Sequence, residues 1–372
     1  MCIKFKRFPK APNGRILLCF LFAAQAHAGI FYNQACRMKV SFPGYDRNET
    51  LTNFPVLAVF HSGIENFNYD SFIDPAGGTD LRFSDSNMTD ELNYEIEEWN
   101  TNGNSYIWVQ VPALSSSNNC IWAFWGESSY KTPPACTSNG STWSAGYAGV
   151  WHLGTNNIDS TSNRNNSNPS GNPANVSTAV IAGGMDLNLP TPTNYVSCND
   201  SPSLNITGSV TVSTWIYWRS GRSLMAKEYQ SNAGYAAEID DGAGKIRWYT
   251  WGLDGFDIRS NDSFPKNGWH HLALVYDKEN GRKNIYFDGI LNTTTNASGN
   301  ITTNTDPFYM GFSKLTGDVS YYYNGMLDEM RLSNVARSSN WLWACFMNQI
   351  SNSSFNCYGR VMYPQGTVII IR

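Results

Sequence analysis

The sequence predicts an all-β protein made of two tandem antiparallel β-sandwich (jelly-roll) domains. Short runs of strand length, with roughly alternating apolar residues, recur along the chain, among them CRMKVSF, SYIWVQV and VTVSTWIYW. Turn-forming pairs such as Gly77-Gly78 and Asn102-Gly103 separate these runs. Helical periodicity is confined to residues 338–348. Because many short strands joined by turns are typical of sandwiches, we expect sheet packed on sheet in each half of the chain.

Composition and charge narrow the classes of protein. Only 15% of the residues are charged and 14% are aromatic, which excludes a highly charged disordered chain and favours a β-rich extracellular protein. The net charge is −4, and lysine and arginine form no cluster beyond the first residues. Since phosphate binding needs a basic face, nucleic acid is excluded as a partner.

The first 28 residues have the three parts of a secretory signal peptide. A basic arm, MCIKFKRFPKAPNGR, precedes the apolar run ILLCFLFAA and the cleavage motif Ala26-His27-Ala28. We therefore expect a secreted or cell-surface protein that begins at Gly29. Five of the 26 Lys and Arg residues lie in this leader, so the mature chain has 21 basic against 30 acidic residues. No apolar run is long enough to span a bilayer, so the sequence predicts no integral membrane segment.

Behind the leader (residues 1–28), the sequence divides into four parts. Strand-like runs over residues 29–131 predict an N-terminal β-sandwich domain. Residues 132–146 have no apolar period and predict a linker, and a second series of strand-like runs predicts a domain over residues 147–348. Residues 349–372 are expected to form a C-terminal tail. Its end, GTVIIIR, is an apolar, β-prone strand that could pair with another copy's sheet edge and support self-assembly.

Four motifs occur in order within residues 147–348: GVWHLGTNNIDSTSNRNNS, YVSCNDSPSLNITGSVTVSTWIYW, WHHLALVYD followed by NIYFDG, and NGMLDEMRLSNVARSSNWLWACFMNQ. On these motifs the region resembles the laminin-G-like domains of the concanavalin A-like lectin/glucanase superfamily. Over residues 30–130, LTNFPVLAVF, GGTDLRFSD, YEIEEWNTNGNSYIWVQVPALS and IWAFWG resemble a domain family of unknown function that often precedes such domains in secreted bacterial proteins. The pairing implies a secreted or surface multidomain protein, and it names no ligand.

The adjacent histidines in WHHLALVYD suggest metal binding or acid–base chemistry. In a strand, however, successive side chains point to opposite faces, so His270 and His271 cannot share one ion. The helical spacing that lets two histidines chelate a metal is also missing. The resemblance to laminin-G-like domains places this segment in a core strand that leads to a hairpin, and we expect a structural role.

A catalytic alternative involves Glu238 and Asp240. Laminarinase-like retaining glucanases, which share the superfamily's fold, carry their carboxylates at E-x-D-x-E spacing on one strand face. Glu238 and Asp240 fit the first two positions, but the next acid, Asp241, lies on the opposite face and no glutamate completes the motif. We therefore expect no catalytic residue here.

The resemblance also implies a structural Ca²⁺ ion, because laminin-G-like and pentraxin-like relatives frequently hold one between an early loop and the last strand. The matching positions are Asp159 and Asp328, with Asn163 as a third candidate. Calcium takes oxygen ligands of this kind. Alternatively, Asp159 caps a turn and Asp328 makes a hydrogen bond at a strand end.

Sugar binding combines aromatic faces with hydrogen-bonding side chains. Three residues of KIRWYTW share one strand face, two aspartates follow in the next loop, and a tyrosine cluster lies further on. The candidate ligand-binding residues are Arg247, Tyr249, Trp251, Asp254, Asp257 and Tyr322. The alternative is that the aromatic residues are core packing.

Six cysteines remain in the mature chain. An even number in an exported protein favours disulfides, and no pair has the C-x-x-C spacing of a zinc or redox site. The sequence does not determine the pairing; candidates are Cys36–Cys120 in the first domain and Cys345–Cys357 around a short C-terminal loop.

These observations predict a non-enzymatic, exported carbohydrate-binding or adhesion protein, with a polysaccharide or a cell-surface glycan as its partner. One alternative is a structural subunit of an extracellular fibre or matrix, which the apolar tail favours. A glycoside hydrolase is disfavoured by the missing second glutamate.

Overall fold

The computed structural model describes residues 31, 33–154, 156–188, 194–240, 242–314 and 320–363. The leader and the apolar segment 366–372 lie outside these residues, so the signal peptide and the self-assembly strand stay predictions. Within the described part of the chain, no helix has the length and apolar character needed to cross a lipid bilayer.

The N-terminal domain contains two antiparallel sheets. Its strands are β1 (Cys36–Ser41), β2 (Leu51–Phe60), β3 (Arg82–Ser84), β4 (Tyr94–Glu98), β5 (Ser105–Leu114) and β6 (Cys120–Trp125). One sheet has the order β2-β5-β4, and the other contains β1, β6 and β3. The predicted alternation is seen in β1, where Cys36, Met38 and Val40 are buried and the residues between them are exposed.

The C-terminal domain packs a nine-stranded sheet on a seven-stranded sheet, so the predicted all-β, two-sandwich fold is confirmed. Its strands are β7 (Tyr147–Trp151), β8 (Ser167–Ser170), β9 (Ala174–Val176), β10 (Gly184–Asp186), β11 (Tyr195–Cys198), β12 (Val210–Gly221), β13 (Ser223–Ala226), β14 (Tyr235–Ile239), β15 (Lys245–Thr250), β16 (Leu253–Asp254), β17 (Asp257–Ser263), β18 (Trp269–Asp277), β19 (Arg282–Phe287), β20 (Ile290–Asn296), β21 (Ser298–Gly299), β22 (Phe308–Met310), β23 (Phe312–Lys314) and β24 (Ser320–Ser333).

The two large sheets are antiparallel throughout. The nine-stranded sheet has the order β20-β19-β18-β12-β24-β10-β9, with β7 and β23 also paired to β24. The seven-stranded sheet has the order β17-β15-β14-β13-β22-β11-β8, and β16 and β21 form a separate ribbon.

Strand β18 separates two apolar cores. Leu272 and Leu274 point into the core between the two large sheets, whereas Ala273 and Val275 belong to the core shared with the N-terminal domain. The adjacent histidines obey the same alternation, as the sequence predicted. His271 is buried against the ring of Trp215, while His270 hydrogen-bonds the carboxylate of Asp288 at 2.8 Å.

The helices are α1 (Cys136–Asn139), α2 (Ser339–Ile350) and α3 (Asn352–Phe355), and short 3₁₀ turns occur at Tyr69–Ser71, Ser128–Tyr130, Ser141–Trp143 and Pro202–Leu204. Helix α2 is the one the periodicity predicted. Ser338 caps it, because its hydroxyl accepts a hydrogen bond from the backbone N–H of Trp341.

The segment predicted as a C-terminal tail is in part built into the N-terminal domain. Strand β25 (Cys357–Tyr358) pairs with β1. Three asparagine side chains bind the backbone of Leu57 on β2: Asn348 accepts from its N–H at 2.6 Å, and Asn352 and Asn356 donate to its carbonyl oxygen at 2.8 and 2.7 Å. Polar anchoring of this kind leaves no apolar period in the sequence, which explains why the segment was predicted as a tail.

Residues 132–146, predicted as a linker, are folded. They contain α1 and a 3₁₀ turn in which Trp143 is buried, and the indole of Trp143 donates to Glu95 at 2.5 Å. Gly140 has φ of +86°, and a Cβ there would lie 2.2 Å from the backbone nitrogen of Ser162, so the chain passes too close for any other residue. The buried tryptophan and side-chain hydrogen bonds to the backbone, such as that from Gln110 to the Thr142 carbonyl, hold the segment in place without an apolar repeat.

The register of β1 and β6 contradicts one predicted disulfide. Cys120 lies opposite Ser41, at the far end of β1 from Cys36. That separation is about 16 Å at the usual rise per residue, whereas disulfide formation needs Cα atoms within about 7 Å. The Cys36–Cys120 pairing is therefore wrong. The Cys345–Cys357 disulfide is not formed in the structure either: both are free thiols, with Cys345 buried in α2 and Cys357 exposed on β25.

Candidate functional site

The seven-stranded sheet turns one face to the core and the other, here called the outer face, away from it. A row of four residues crosses the middle of the outer face. Ala226 pairs with Tyr309 on one side and with Ala236 on the other, and Ala236 pairs with Tyr249. Two small side chains therefore lie between two tyrosines, with a further neighbour, Trp251, packed on the same patch.

Three aromatic rings stack at one end of this row. The ring of Tyr249 lies 5.7 Å from that of Trp251 at an interplanar angle of 10°, and the ring of Trp251 lies 5.1 Å from that of Phe256 at 21°. Phe256 is 41% exposed, so the stack ends at the surface. This arrangement presents a rigid apolar surface at low conformational cost.

A second aromatic cluster lies at the other end of the row. The ring of Phe312 is 4.7 Å from that of Tyr195, 5.1 Å from that of Tyr309 and 5.0 Å from that of Tyr322. The predicted ligand-binding residue Tyr322 therefore belongs to this cluster and not to the stack around Trp251.

Charged groups border the aromatic stack. The guanidinium of Arg222 donates to both oxygens of Glu238, at 2.7 and 2.8 Å, and the hydroxyl of Tyr249 donates to one of them at 2.7 Å. Arg247 makes a two-pronged ion pair with Asp257, with the closest contact at 2.6 Å. Burial first, and then the hydrogen bond to Glu238, raise the pKa of Tyr249, so its hydroxyl stays protonated.

Glu228 is a second buried acid of the outer face, in addition to Glu238. Its Oε2 accepts a hydrogen bond from the indole of Trp251 at 2.8 Å, while Oε1 has no partner among the described residues. The residue is 1% exposed, and burial raises its pKa. A carboxyl with an unused oxygen at this depth has hydrogen-bonding capacity for a ligand hydroxyl or a water molecule.

The structure brings together four of the six predicted ligand-binding residues: Arg247, Tyr249, Trp251 and Asp257. Asp254 lies apart on the ribbon, where its carboxylate accepts a hydrogen bond from Ser298 at 3.4 Å. Sequence reasoning missed Glu228 and Arg222. Both follow strands that alternation identifies, but which strands they would lie beside depends on long-range pairing.

The two described acids of the motif rejected on sequence grounds have different partners. Glu238 is engaged by Arg222 and Tyr249, whereas Asp240 accepts from the backbone of Gly242 at 3.0 Å and lies 3.5 Å from Arg259. The two acids thus serve separate ion pairs.

The predicted calcium ligand Asp159 accepts four hydrogen bonds from the protein itself. Oδ1 accepts from the backbone N–H groups of Val150 and Thr161 at 3.0 and 2.9 Å, and Oδ2 accepts from the Thr161 hydroxyl at 2.9 Å and the Asn165 N–H at 2.8 Å. Four donors use the lone pairs of the carboxylate, which therefore ties a loop to β7. Asn163 is also committed, since its amide donates to the Ala148 carbonyl at 3.1 Å.

Asp328 has a different environment. Its Oδ2 accepts from the N–H groups of Val180 and Ile181 at 3.0 and 2.9 Å, but Oδ1 is buried with no partner in the described chain. It is therefore not saturated, and its hydrogen-bond partners differ from those of Asp159. Calcium binding by the protein stays a prediction.

Family models match both parts of the chain. Residues 190–342 match the model described as the concanavalin A-like lectin/glucanases superfamily (Laminin_G_3). The row of four residues on the outer face lies within the matched range. Residues 77–142 match a domain of unknown function, DUF2341. Both resemblances are therefore confirmed, and the second match extends into the predicted linker. A comparison with curated proteins gives no match.

Solved structures are similar to about half of the chain. The binding domain of Paraclostridial Mosquitocidal Protein 1 is 14% identical with a TM-score of 0.44, over 54% of this chain and 52% of that one. Domain 4 of a GH43 extracellular arabinanase from Geobacillus stearothermophilus, in complex with arabinotriose, is 18% identical with a TM-score of 0.42, over 53% and 96%. The binding domain of botulinum neurotoxin DC, in complex with SialylT, is 12% identical with a TM-score of 0.43, over 56% and 52%. The chain thus spans about half the length of the two toxin binding domains.

Proposed function

We propose that the protein is an exported, non-enzymatic carbohydrate-binding protein and that a glycan binds on the outer face of the seven-stranded sheet. The observation that carries the proposal is the juxtaposition of the stacked rings of Tyr249, Trp251 and Phe256 with the unused oxygen of the buried Glu228. The match of residues 190–342 to the concanavalin A-like superfamily supports it.

The stack and the charged groups supply complementary contacts to a sugar. The C–H face of a pyranose or furanose ring is apolar and packs on an aromatic surface, which the exposed Phe256 extends outward from Trp251. Sugar hydroxyls need donors and acceptors in fixed positions. Glu228 offers an unpaired, buried oxygen next to Trp251, and Arg222 and Glu238 offer an oriented ion pair at the other end of β13.

The arrangement of carboxyls favours binding over hydrolysis. A retaining glycosidase holds its two carboxyls about 5–5.5 Å apart. On the outer face, Glu238 pairs with Ser223 at the beginning of β13, whereas Glu228 comes two residues after Ala226, where β13 ends. The two acids are thus separated by the length of that strand, and Glu238 is already bound by Arg222.

A glycan array followed by calorimetric titration of the best sugar tests the proposal. Trp251→Ala should weaken binding at least about tenfold, equivalent to about 1.4 kcal/mol, because it removes the middle ring of the stack. A matched control is Trp269→Ala, which removes a partly buried tryptophan from the opposite sheet and should bind as the wild type does. Silence of the folded protein across the array, or a sugar whose affinity Trp251→Ala leaves unchanged, would contradict the proposal.

A further inference from the structure

Three potential metal ligands from the two domains meet at the domain interface. Glu97 comes from β4, His152 follows β7 directly, and Glu329 comes from β24. One ligand atom of each lies within 4.8 Å of the other two. The Nδ1 atom of His152 is 2.5 Å from Oε1 of Glu329 and 3.4 Å from Oε2 of Glu97. We call these residues the interface triad.

Irregular backbone aims both carboxylates at this point. Glu97 lies where the pairing of β4 with β5 shifts register between Ile96 and Glu98. Glu329 has φ of +53° in the middle of a strand, where the pairing of β24 with β12 also shifts. Bulges and left-handed non-glycine residues cost stability and are retained where the direction of a side chain matters.

Carboxyl groups outnumber permanent cations around the triad. Oε1 of Glu95 is 3.8 Å from Nε2 of His152, and Asp328 is close enough to interact electrostatically with Glu97 and Glu329. Against these four carboxyls, Arg331 supplies one permanent cation, and its guanidinium is bound to Oε2 of Glu329 at 2.9 Å. Buried carboxylates in excess of their cations are strongly unfavourable unless another positive charge joins them.

Three buried polar atoms of the triad and of Asp328 lack partners. Oε1 of Glu97, Nε2 of His152 and Oδ1 of Asp328 have no hydrogen-bond partner among the residues that the structure describes. The side chain of Glu97 is 6% exposed and that of His152 is 8% exposed, and Asp328 is fully buried. A cavity of about 70 Å³ lies against Glu97 and His152, between the two domains. It has room for an ion and a bound water molecule.

We propose that the interface triad binds a divalent transition-metal ion, of which Zn²⁺ is the probe, and that this ion joins the two domains. One imidazole nitrogen with two carboxylate oxygens suits zinc, whereas Ca²⁺ and Mg²⁺ take oxygen ligands.

The distances from His152 to the two glutamates are close to those that a tetrahedral ion requires. With bonds of about 2.1 Å, the ligands of such an ion lie roughly 3.4 Å apart. The spacing of His152 Nδ1 and Glu97 Oε2 already meets this value, and Glu329 has to withdraw by about 1 Å. Ligation through Nδ1 leaves the Nε2–H of His152 facing Glu95, which is the usual arrangement of a carboxylate that orients a ligating histidine.

Protons are the competing occupants of the site. Burial raises the pKa values of Glu97 and Asp328 well above their usual range. Burial alone would lower the pKa of His152, but the carboxylates of Glu329 and Glu97 outweigh it and raise that pKa. A metal ion must displace these protons, so its affinity should rise with pH.

Calorimetric titration of Zn²⁺ into the chelator-treated mature protein, at pH 6 and pH 8, tests the proposal. We expect one equivalent of zinc, tighter binding at pH 8 and a higher melting temperature on binding. Glu97→Gln should weaken the affinity at least tenfold. Glu228→Gln is a matched control, because Glu228 also accepts a single tryptophan hydrogen bond and leaves its other oxygen unpartnered. Glu228 does not belong to the interface triad, so this variant should bind zinc like the wild type.

A crystal of the zinc-loaded wild type gives a test that needs no variant. An anomalous peak bonded to Nδ1 of His152 and to Glu97 supports the proposal. The absence of stoichiometric binding, a peak at another place, or zinc affinity unchanged in Glu97→Gln would overturn it and leave protons as the occupants.

Discussion

A buried glutamate is held by a tryptophan in two regions of the molecule, with different surroundings. At the domain interface, the indole of Trp108 donates to Glu97 at 2.7 Å; on the outer face, the indole of Trp251 donates to Glu228 at 2.8 Å. In both glutamates the second oxygen has no partner within the described residues. The local hydrogen bonding is thus the same, and whatever distinguishes the two sites comes from their neighbours.

Glu97 lies beside a histidine and another carboxylate, whereas Glu228 lies against the aromatic stack. Around Glu97 lie the imidazole of His152 and the carboxylate of Glu329, which together form a set of metal ligands. Beside Glu228 the stacked ring of Trp251 leads to the surface. An unsatisfied carboxyl therefore indicates an ion in the first region and a hydroxyl-bearing ligand in the second.

The largest effect is expected from removing the cation of the interface. Arg331 is 3% exposed, is bound to Glu329 and lies over the ring of Trp108 at 4.2 Å. Arg331→Ala should lower the free energy of unfolding by about 3–5 kcal/mol, because it leaves a buried carboxylate without its partner. Urea denaturation measures this. Arg219→Ala is the control: its ion pair with Asp186 is partly exposed, and its loss should cost about 0–1 kcal/mol. Equal costs would mean that the interface charges are not effectively buried.

The two buried histidines should respond to acid in opposite ways. Burial, and secondarily the charge of Arg331, lower the pKa of His271 to about 3. Its pKa in the unfolded chain is about 6.5, so the stability that is present above pH 6.5 is lost as pH falls towards 3. Between pH 7.5 and 4.5 the wild type should lose about 2–3 kcal/mol that His271→Phe does not lose. His152 has a raised pKa, so its contribution is present below pH 6.5 and is lost as pH rises through the folded value. Denaturation of both proteins at the two pH values measures the difference, and parallel losses would contradict the assignment of His271.

A smaller effect separates the two glutamates in the metal-free protein. Because burial raises both pKa values, each acid contributes stability below its unfolded pKa of about 4.3 that is lost as pH rises. At pH 8, Glu97→Gln and Glu228→Gln should therefore each raise the free energy of unfolding by on the order of 1 kcal/mol, with the larger gain at Glu97. At pH 4 the gains should vanish. With added zinc, Glu97→Gln should instead be less stable than the wild type, whereas Glu228→Gln should keep its gain. A loss of stability in both variants at pH 8 would contradict the inference that burial disfavours the ionised form of each acid.

The elements of this fold follow from local patterns, and the sites do not. Alternation placed Leu272 and Leu274 on one face of β18 and His271 on the other, because the period of two is a property of any strand. The candidate metal site needs Glu97 and Glu329, which are more than two hundred residues apart and are aimed by bulges. Nothing within either segment indicates which distant strand it meets.

Loop aspartates show the same limit at short range. The family resemblance selected Asp159 as a calcium ligand because an acid in that loop has the right chemistry. In the structure the loop folds back so that neighbouring backbone N–H groups and one hydroxyl occupy its carboxylate. Residue type gives the possible partners of a side chain, and the backbone conformation decides which of them it meets.

The smallest effect on stability is expected from adding calcium, the ion that the family resemblance implied. If Ca²⁺ bound the native state, stability would rise by about 2.7 kcal/mol at a concentration one hundred times the dissociation constant. If the four hydrogen bonds of Asp159 persist in solution, its carboxylate has no lone pair left for an ion. The melting temperatures in chelator and in calcium should then agree, while zinc should raise the melting temperature through the interface triad. Asp159→Asn should destabilise the protein equally in both solutions, because an amide offers one acceptor oxygen where four donors converge. A calcium-dependent rise that Asp159→Asn abolishes would restore the calcium site and show that an ion displaces these hydrogen bonds.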